Sequence, residues 1–269
     1  MLLDDVRGFV FDVDGTLVQR AGREIHLIPG ARDVLECVAA SGRPYALFTN
    51  GSHLAPDTFA GELRAAGLPI EDGCVLTPLC SVQNHLAGFL EKPRVLAFAT
   101  QPARDYLRGV GIQLVESGDG TKVDAVFVAH TDEIGFDRLE AAARAVIAGA
   151  RLLVGSYVPA YAGANGPILS RGAMVAAAIA KASGARPVVV GKPSRAAVRE
   201  LEQRLGVPSR QMAVVGDDLR LDVAFGHLGG SQTVLVRSGI SASVELDGIP
   251  EPRRPDVAVG SVAEMLAWF

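Results

Sequence analysis

Residues 9–17 read FVFDVDGTL: an apolar strand runs directly into two aspartates, Asp12 and Asp14, then a glycine and a threonine. Side chains alternate along a strand, so Asp12 and Asp14 share a face and aim both carboxylates into one space as the chain leaves the sheet. Gly15 permits the sharp turn that follows. Two carboxylates at roughly 4 Å repel by about 4 kcal/mol at an effective dielectric of about 20, so a cation or a shared proton must offset them. A divalent metal is the simplest answer. An isolated Asp-x-Asp-Gly also fits a solvated acidic turn. An EF-hand loop is excluded, because its glycine belongs at the sixth position, Gly15 is fourth from Asp12, and no glutamate stands at the twelfth.

Three further strand ends carry matching chemistry. The run PYALFT at 44–49 stops at Thr49-Asn50-Gly51-Ser52, where a hydroxyl and freed backbone N–H groups can hold an anion, although alone this is a loop. The run RPVVV at 186–190 ends in Gly191-Lys192-Pro193-Ser194, before Ala197, Val198, Leu201 and Leu205 at helical spacing with Ser194 as N-cap. This is no nucleotide-binding P-loop, since proline follows Lys192 and Arg186 stands where the upstream glycine is required; a surface lysine is the ordinary reading. Finally MAVVG at 212–216 delivers Asp217 and Asp218, with Asp222 in the expected first turn of a helix, where acids are favoured anyway.

Residue types alone outline a mechanism. A carboxylate attacking a phosphate monoester meets a dianion, so positive charge must surround the phosphoryl group. Five acids (Asp12, Asp14, Asp217, Asp218, Asp222) converge with one lysine, a balance that calls for a metal, and hard oxygen ligands with a phosphate substrate favour Mg²⁺. Thr49 and Lys192 are then the partners of the equatorial phosphate oxygens.

In this order and at these separations, the four segments resemble the four motifs of the haloacid dehalogenase superfamily: DVDGT at 12–16, Thr49, Lys192 and GDDLRLD at 216–222. The insert between Thr49 and Lys192 looks like the large α/β cap of the NagD-like phosphatases. The resemblance implies that Asp12 is a nucleophile that becomes a phospho-aspartate, and that Asp14 protonates the leaving oxygen and then activates water. It also implies that Asp217, Asp12 and the Asp14 backbone carbonyl hold Mg²⁺, with Asp222 supporting it. Asp218 reads as supporting or structural. Dehalogenases of the superfamily lack the second aspartate, and phosphomutases usually carry their cap before the second motif, where this chain has only the short segment from Asp12 to Thr49. A receiver-type signalling domain is far shorter. A non-catalytic phospho-ligand-binding protein would be marked by loss of Asp12, Asp14 or Lys192, and none is lost.

The chain is expected to be α/β, a Rossmann-like doubly wound parallel-sheet core (1–76 and 185–269) with an inserted α/β cap (77–184). Core strands fall at 6–12, 44–49, 186–190, 212–216 and 232–237, with helices at 31–41, 56–66, 194–205 and 219–229 between them. The cap has its own strands at 94–99, 123–129 and 151–155 and helices at 102–109, 136–148 and 172–183. Its loop departs from the relatives: Gly155-Ser156-Tyr157-Val158-Pro159 and Pro167-Ile168-Leu169-Ser170-Arg171 stand where an Asn-x-Asp and a Pro-Gly are common, so an acid has become Val158. Asn50, Gly51, Ser156, Tyr157, Val158 and Arg171, with Tyr161, are the expected substrate contacts, favouring an anionic or aromatic leaving group.

Composition agrees. The 269 residues are 49% hydrophobic with a net charge of −4, which allows a large core and lacks the basic patch of a nucleic-acid binder. The opening MLLDDVRG is too short in its apolar part for a signal peptide, and no stretch approaches a membrane span, so a cytoplasmic enzyme acting on a small phosphorylated metabolite, with no nucleic acid or membrane partner, is expected. A homodimer through the cap is plausible from the resemblance. Cys37, Cys74 and Cys80 lack metal-site spacing, Cys37 reading as a buried small hydrophobe, and the five histidines form no i, i+4 pair; His53 and His130 are the ones expected to touch substrate.

Overall fold

A computed structural model describes residues 5–22, 24–116, 122–161 and 168–269. Its first sheet has six parallel strands in the order Val257–Val259, Gln232–Val236, Met212–Gly216, Gly8–Phe11, Tyr45–Phe48, Val75–Leu76. Every residue of Gly8–Phe11 is buried, as a central parallel strand covered on both faces requires. Phe9 and Phe11 point into a cluster with Val34, Leu35 and Val38 of the helix Ala31–Ala40 and with Phe59 and Leu63 of the helix Pro56–Ala65. Val10 faces the other way, onto Ala197, Val198 and Leu201 of the helix Arg195–Leu205 and Phe225. The chain winds outward in one direction from Gly8–Phe11 through the strands at 45 and 75, and in the other through those at 212, 232 and 257. Asp12 therefore leaves the sheet at its switch point, where open α/β sheets bind ligands.

The second sheet has five parallel strands in the order Val188–Val189, Arg151–Val154, Ala125–Val128, Arg94–Phe98, Gln113–Leu114. Alternation again divides its faces. Val95, Ala97, Phe127 and Leu153 meet Leu79, Val82 and Leu86 of the helix Pro78–Ala87, while Leu96, Phe98, Val126 and Val128 meet Val146, Val175 and Ile179. Cys80, on the opposite side of that same helix, packs with the first sheet, so one helix is shared between both cores.

Three expectations are corrected. The strand expected in the first sheet at 186–190 belongs to the second, with Val188 opposite Leu153 and Val189 opposite Val154. The helix Arg171–Ser183 packs on the second sheet and returns the chain beside the strand it follows, a β-α-β crossover that an apolar pentapeptide does not disclose. The segment after Asp218 is not an α-helix from its first turn: Leu219–Val223 is π-helical and passes into the α-helix Ala224–Gly229. Cys74 and Cys80 are buried, whereas Cys37 is only half-buried. No helix among the described residues is long and apolar enough to cross a membrane.

Candidate active site

Three neighbouring strands of the first sheet deliver the acids and the threonine. Asp12, Thr49 and Asp217 each follow the last residue of their strand, and the Asp12 N–H continues the ladder to the Val215 carbonyl at 2.8 Å. Asp12, Asp217 and Asp222 place one carboxylate oxygen each within 4.8 Å of one another. Gly15, at φ +92°, is required here, because a Cβ on it would stand 2.4 Å from Asp217 Oδ2. Asp217 Oδ2 accepts from the Ile240 N–H at 2.7 Å, and Asp222 Oδ2 from the Asp218 N–H at 3.1 Å.

Lys192 comes from the second sheet, at the end of its edge strand. It is 2% exposed, and its ammonium donates to Asp12 Oδ1 at 2.5 Å and to Asp222 Oδ1 at 2.6 Å, so it is no surface lysine. Burial acts to lower its pKa, but the Asp12 and Asp222 carboxylates outweigh that and hold it above the usual lysine value. The Asp12 carboxyl is raised as well: burial, with Asp222 and Asp217 adding to it, lifts it well above the ordinary range against the pull of Lys192. Asp217 is pushed up to about 7 by burial and then by Asp222. Three acids, Asp217 and Asp222 buried and Asp12 nearly so, face one ammonium and are thus short of positive charge.

Asn50, expected to touch substrate, spends its amide on the lysine: Nδ2 donates to the Lys192 carbonyl and Oδ1 accepts from the Lys192 N–H, both at 2.8 Å. The contact depends on Gly191, where a Cβ would lie 2.5 Å from Asn50 Oδ1 and 2.3 Å from the Gly155 carbonyl. Asp218 is structural as well as lining: its Oδ1 accepts from the N–H groups of Arg220 and Leu221 and caps the π-helical segment. Thr49 is buried, and its hydroxyl accepts from the Gly51 N–H at 2.9 Å.

The acids, Thr49 and Asn50 border a cavity of about 300 Å³, which Asp12, Asp14, Thr49, Asn50, Gly51, Ser156, Val158 and Tyr161 all line; Lys192, bonded to Asp12 and Asp222, is not among the lining residues. Two expected substrate contacts do not. Tyr157 is 41% exposed, and Arg171 pairs with Asp132 at 2.5 Å; neither lines the cavity. The loop's apolar and polar residues carry no period from which the inward set can be read. Of the loop 156–171, residues 162–167 lie outside the described residues. Three basic residues take Arg171's place at the wall: Arg20, His53 and His130. Arg20 sits on the strand Val18–Ala21, which forms a hairpin with Glu24–Leu27 immediately after the motif, and its Nε–H donates to Asp14 Oδ1 at 2.8 Å. The Asp14 carboxylate therefore stands apart from the acidic trio. Burial, then Arg20 and His130, hold His53 below the usual imidazole value.

Residues 9–113 match the family described as haloacid dehalogenase-like hydrolase, and residues 189–265 a second described as HAD-hydrolase-like. Human chronophin is 30% identical over 255 residues, covering 89% of this chain and 84% of its own length. The chain belongs to the haloacid dehalogenase-like phosphatases. Within that family it is NagD-like: the ribonucleotide monophosphatase NagD of Escherichia coli K12 is 29% identical over 266 residues, 97% of this chain and 98% of NagD. The solved p-nitrophenyl phosphatase of Archaeoglobus fulgidus superposes with a TM-score of 0.86 at 26% identity, covering 98% of this chain and all of the other. The NagD-like enzyme is accordingly a hydrolase of phosphate monoesters.

Proposed function

We propose that this NagD-like phosphatase hydrolyses a small phosphorylated metabolite through a phospho-aspartate on Asp12, with Mg²⁺ held by Asp12, Asp217, Asp222 and the Asp14 backbone carbonyl. The observation that carries the reading is the trio of carboxylates, two of them buried, converging on one ammonium beside a cavity. The donor set fits a hard divalent cation, since all three side chains offer oxygen and the raised carboxyl pKa values of Asp12 and Asp217 mark a site short of positive charge. When bound, Mg²⁺ supplies charge neutralisation of the acids and of the phosphoryl oxygens.

The side chains divide the remaining work. Lys192, fixed through its backbone by Asn50, holds Asp12 Oδ1 and fixes the carboxylate for attack on phosphorus. As the bond from Asp12 to phosphorus forms, the ester P–O bond breaks and Asp14 gives its proton to the departing oxygen. Asp14 then takes a proton from water, whose oxygen attacks phosphorus; the bond to Asp12 breaks and inorganic phosphate leaves. Thr49 and Lys192 bind the equatorial oxygens throughout. The test is turnover on a panel of phosphorylated metabolites, expected with Mg²⁺ and lost in EDTA.

Metal binding has its own signature. In the metal-free protein Asp217 ionises near pH 7, against an ordinary aspartate value of 3.8, so the folded state binds the extra proton between those values and stability falls as pH rises through that window. Asp12 contributes with the same sign. Mg²⁺ relieves the repulsion among ionised acids, so the Tm gain at saturating Mg²⁺ is expected to be larger at pH 8 than at pH 5.5. Differential scanning calorimetry at both pH values checks this; an equal gain at both contradicts it.

The loop from Ser156 onward is proposed to select the leaving group, since Ser156, Val158 and Tyr161 line the same cavity as the acids of the first sheet. Val158→Asp combined with Ser156→Asn is expected to redistribute kcat/KM across the panel by at least about tenfold, roughly 1.4 kcal/mol of differential transition-state binding. A uniform change over all substrates removes the loop from selection.

A further inference from the structure

One more strand of the first sheet ends at the site. After Gln232–Val236, which pairs with Met212–Gly216, the chain runs Arg237-Ser238-Gly239-Ile240-Ser241 and passes over Asp217. The Ile240 N–H donates to Asp217 Oδ2 at 2.7 Å, and the Ser241 N–H donates to the Asp217 carbonyl at 3.2 Å. The Ser238 hydroxyl donates to the Gly15 carbonyl at 2.7 Å. Ser241 Oγ accepts from the N–H of Leu219 at 3.2 Å, where the π-helical segment that carries Asp222 begins. One short turn thus touches the turn after Asp14, the Asp217 carboxylate and the segment of Asp222, while Ile240 lines the cavity.

A connector between two strands needs none of these contacts. It has no need of a glycine at 239 either, yet a Cβ there would stand 1.8 Å from Asp217 Oδ2 and 2.5 Å from its Cγ. Gly15 approaches the same oxygen so closely that its own Cβ would lie at 2.4 Å. Asp217 Oδ2 is therefore enclosed by two glycine backbones and pinned by the N–H of a third residue. A carboxylate held in this way cannot turn about its Cβ–Cγ bond or change rotamer without moving the turn. Partners that orient a metal ligand in this manner govern affinity nearly as strongly as the ligands do.

Resting on the Mg²⁺ site proposed above, we propose that residues 238–241 are a positioning segment that sets the metal preference of the centre: by holding Asp217 in one orientation toward Asp12 and Asp222, they favour Mg²⁺ over Ca²⁺. Mg²⁺ demands a near-ideal octahedron with short bonds, whereas Ca²⁺ accepts a looser shell of more oxygens, so rigidity of the ligands separates the two ions. The hold is exerted by backbone atoms and by the lack of a side chain at 239, so it is indifferent to the identity of residue 240.

The test is calorimetric titration of the metal-free protein with Mg²⁺ and, separately, with Ca²⁺. Gly239→Ala is expected to bind Mg²⁺ at least about tenfold more weakly than the wild type and to lose much less affinity for Ca²⁺, so that the ratio of the two shifts toward Ca²⁺. Unchanged Mg²⁺ affinity overturns the proposal. So does an equal loss for both ions, the mark of a general weakening of the fold. Should Gly239→Ala fail to fold, Ser238→Ala decides the matter, because it deletes the bond to Gly15 and adds no bulk: a loss of about threefold for Mg²⁺ is expected, and no loss overturns the proposal. Ile240→Ala keeps the N–H and is expected to retain both metal affinities; a loss as large as that of Gly239→Ala shows that the side chain, not the backbone donor, matters, and also overturns it. A wild type that binds neither ion defeats the Mg²⁺ assignment itself, whereas a wild type that binds Mg²⁺ beside variants that bind it equally well defeats the positioning role alone.

Discussion

Asp12→Asn is expected to lower kcat by more than about 10⁴-fold, the scale on which loss of a covalent nucleophile is felt. The loss is one of chemistry, not folding. The amide keeps the shape of the carboxylate and cannot ionise, and the ionised form is the one that burial and the neighbouring Asp222 and Asp217 disfavour. Lys192 loses one ion-pair partner but keeps Asp222 at 2.6 Å. Without Mg²⁺ at pH 8 the Tm of the variant should therefore be no lower than that of the wild type. Paired measurements of turnover and thermal melting separate the two effects: an inactive variant with a large drop in Tm shows that Asp12 organises the fold, and an active one that it is no nucleophile.

Lys192→Met should fail on both counts. Methionine matches the length of the stem but leaves Asp12, Asp217 and Asp222 buried with no ammonium, and breaking a buried ion pair by removing one partner costs about 3–5 kcal/mol. We expect a metal-free Tm well below the wild type, partial recovery with Mg²⁺, and loss of most affinity for beryllium fluoride or vanadate. Because Asn50 holds Lys192 through backbone atoms alone, the methionine variant retains that clamp and the path of the chain. Analogue binding as tight as that of the wild type, by calorimetry with Mg²⁺, shows that Lys192 only balances the acids and does not bind the phosphoryl group.

The parts of this site that the sequence discloses are those tied to a strand period. Asp12, Thr49 and Asp217 follow runs of four or five residues, nearly all buried, in a parallel sheet, and such runs are recognisable without tertiary information. Ser194 as an N-cap is equally local, and its hydroxyl accepts from the Ala197 N–H at 3.1 Å. Sheet membership is not local. The run at 186–190 is as apolar as a core strand, and only the packing of the preceding helix decides that Val188 and Val189 join the second sheet. Arg20 was illegible for a related reason: the hairpin Val18–Ala21 with Glu24–Leu27 folds it back onto Asp14, and one arginine in a short polar stretch carries no mark of that reversal. The loop around Ser156 has no period at all, so Tyr157 and Arg171 could not be told from Val158 and Tyr161 as outward and inward residues.

The central claim is that the phosphoryl group passes through Asp12, and it is tested most directly with Asp14→Asn and p-nitrophenyl phosphate. Loss of the acid matters little for departure of p-nitrophenolate, a leaving group stable without a proton, whereas breakdown of the intermediate still needs a base for water. Acid quenching during turnover with Mg²⁺, followed by peptide mass spectrometry, should find a phosphoryl adduct on the aspartate at position 12, absent after EDTA. Release of p-nitrophenolate by the quenched enzyme with an adduct elsewhere, or sustained turnover with none, would contradict the account.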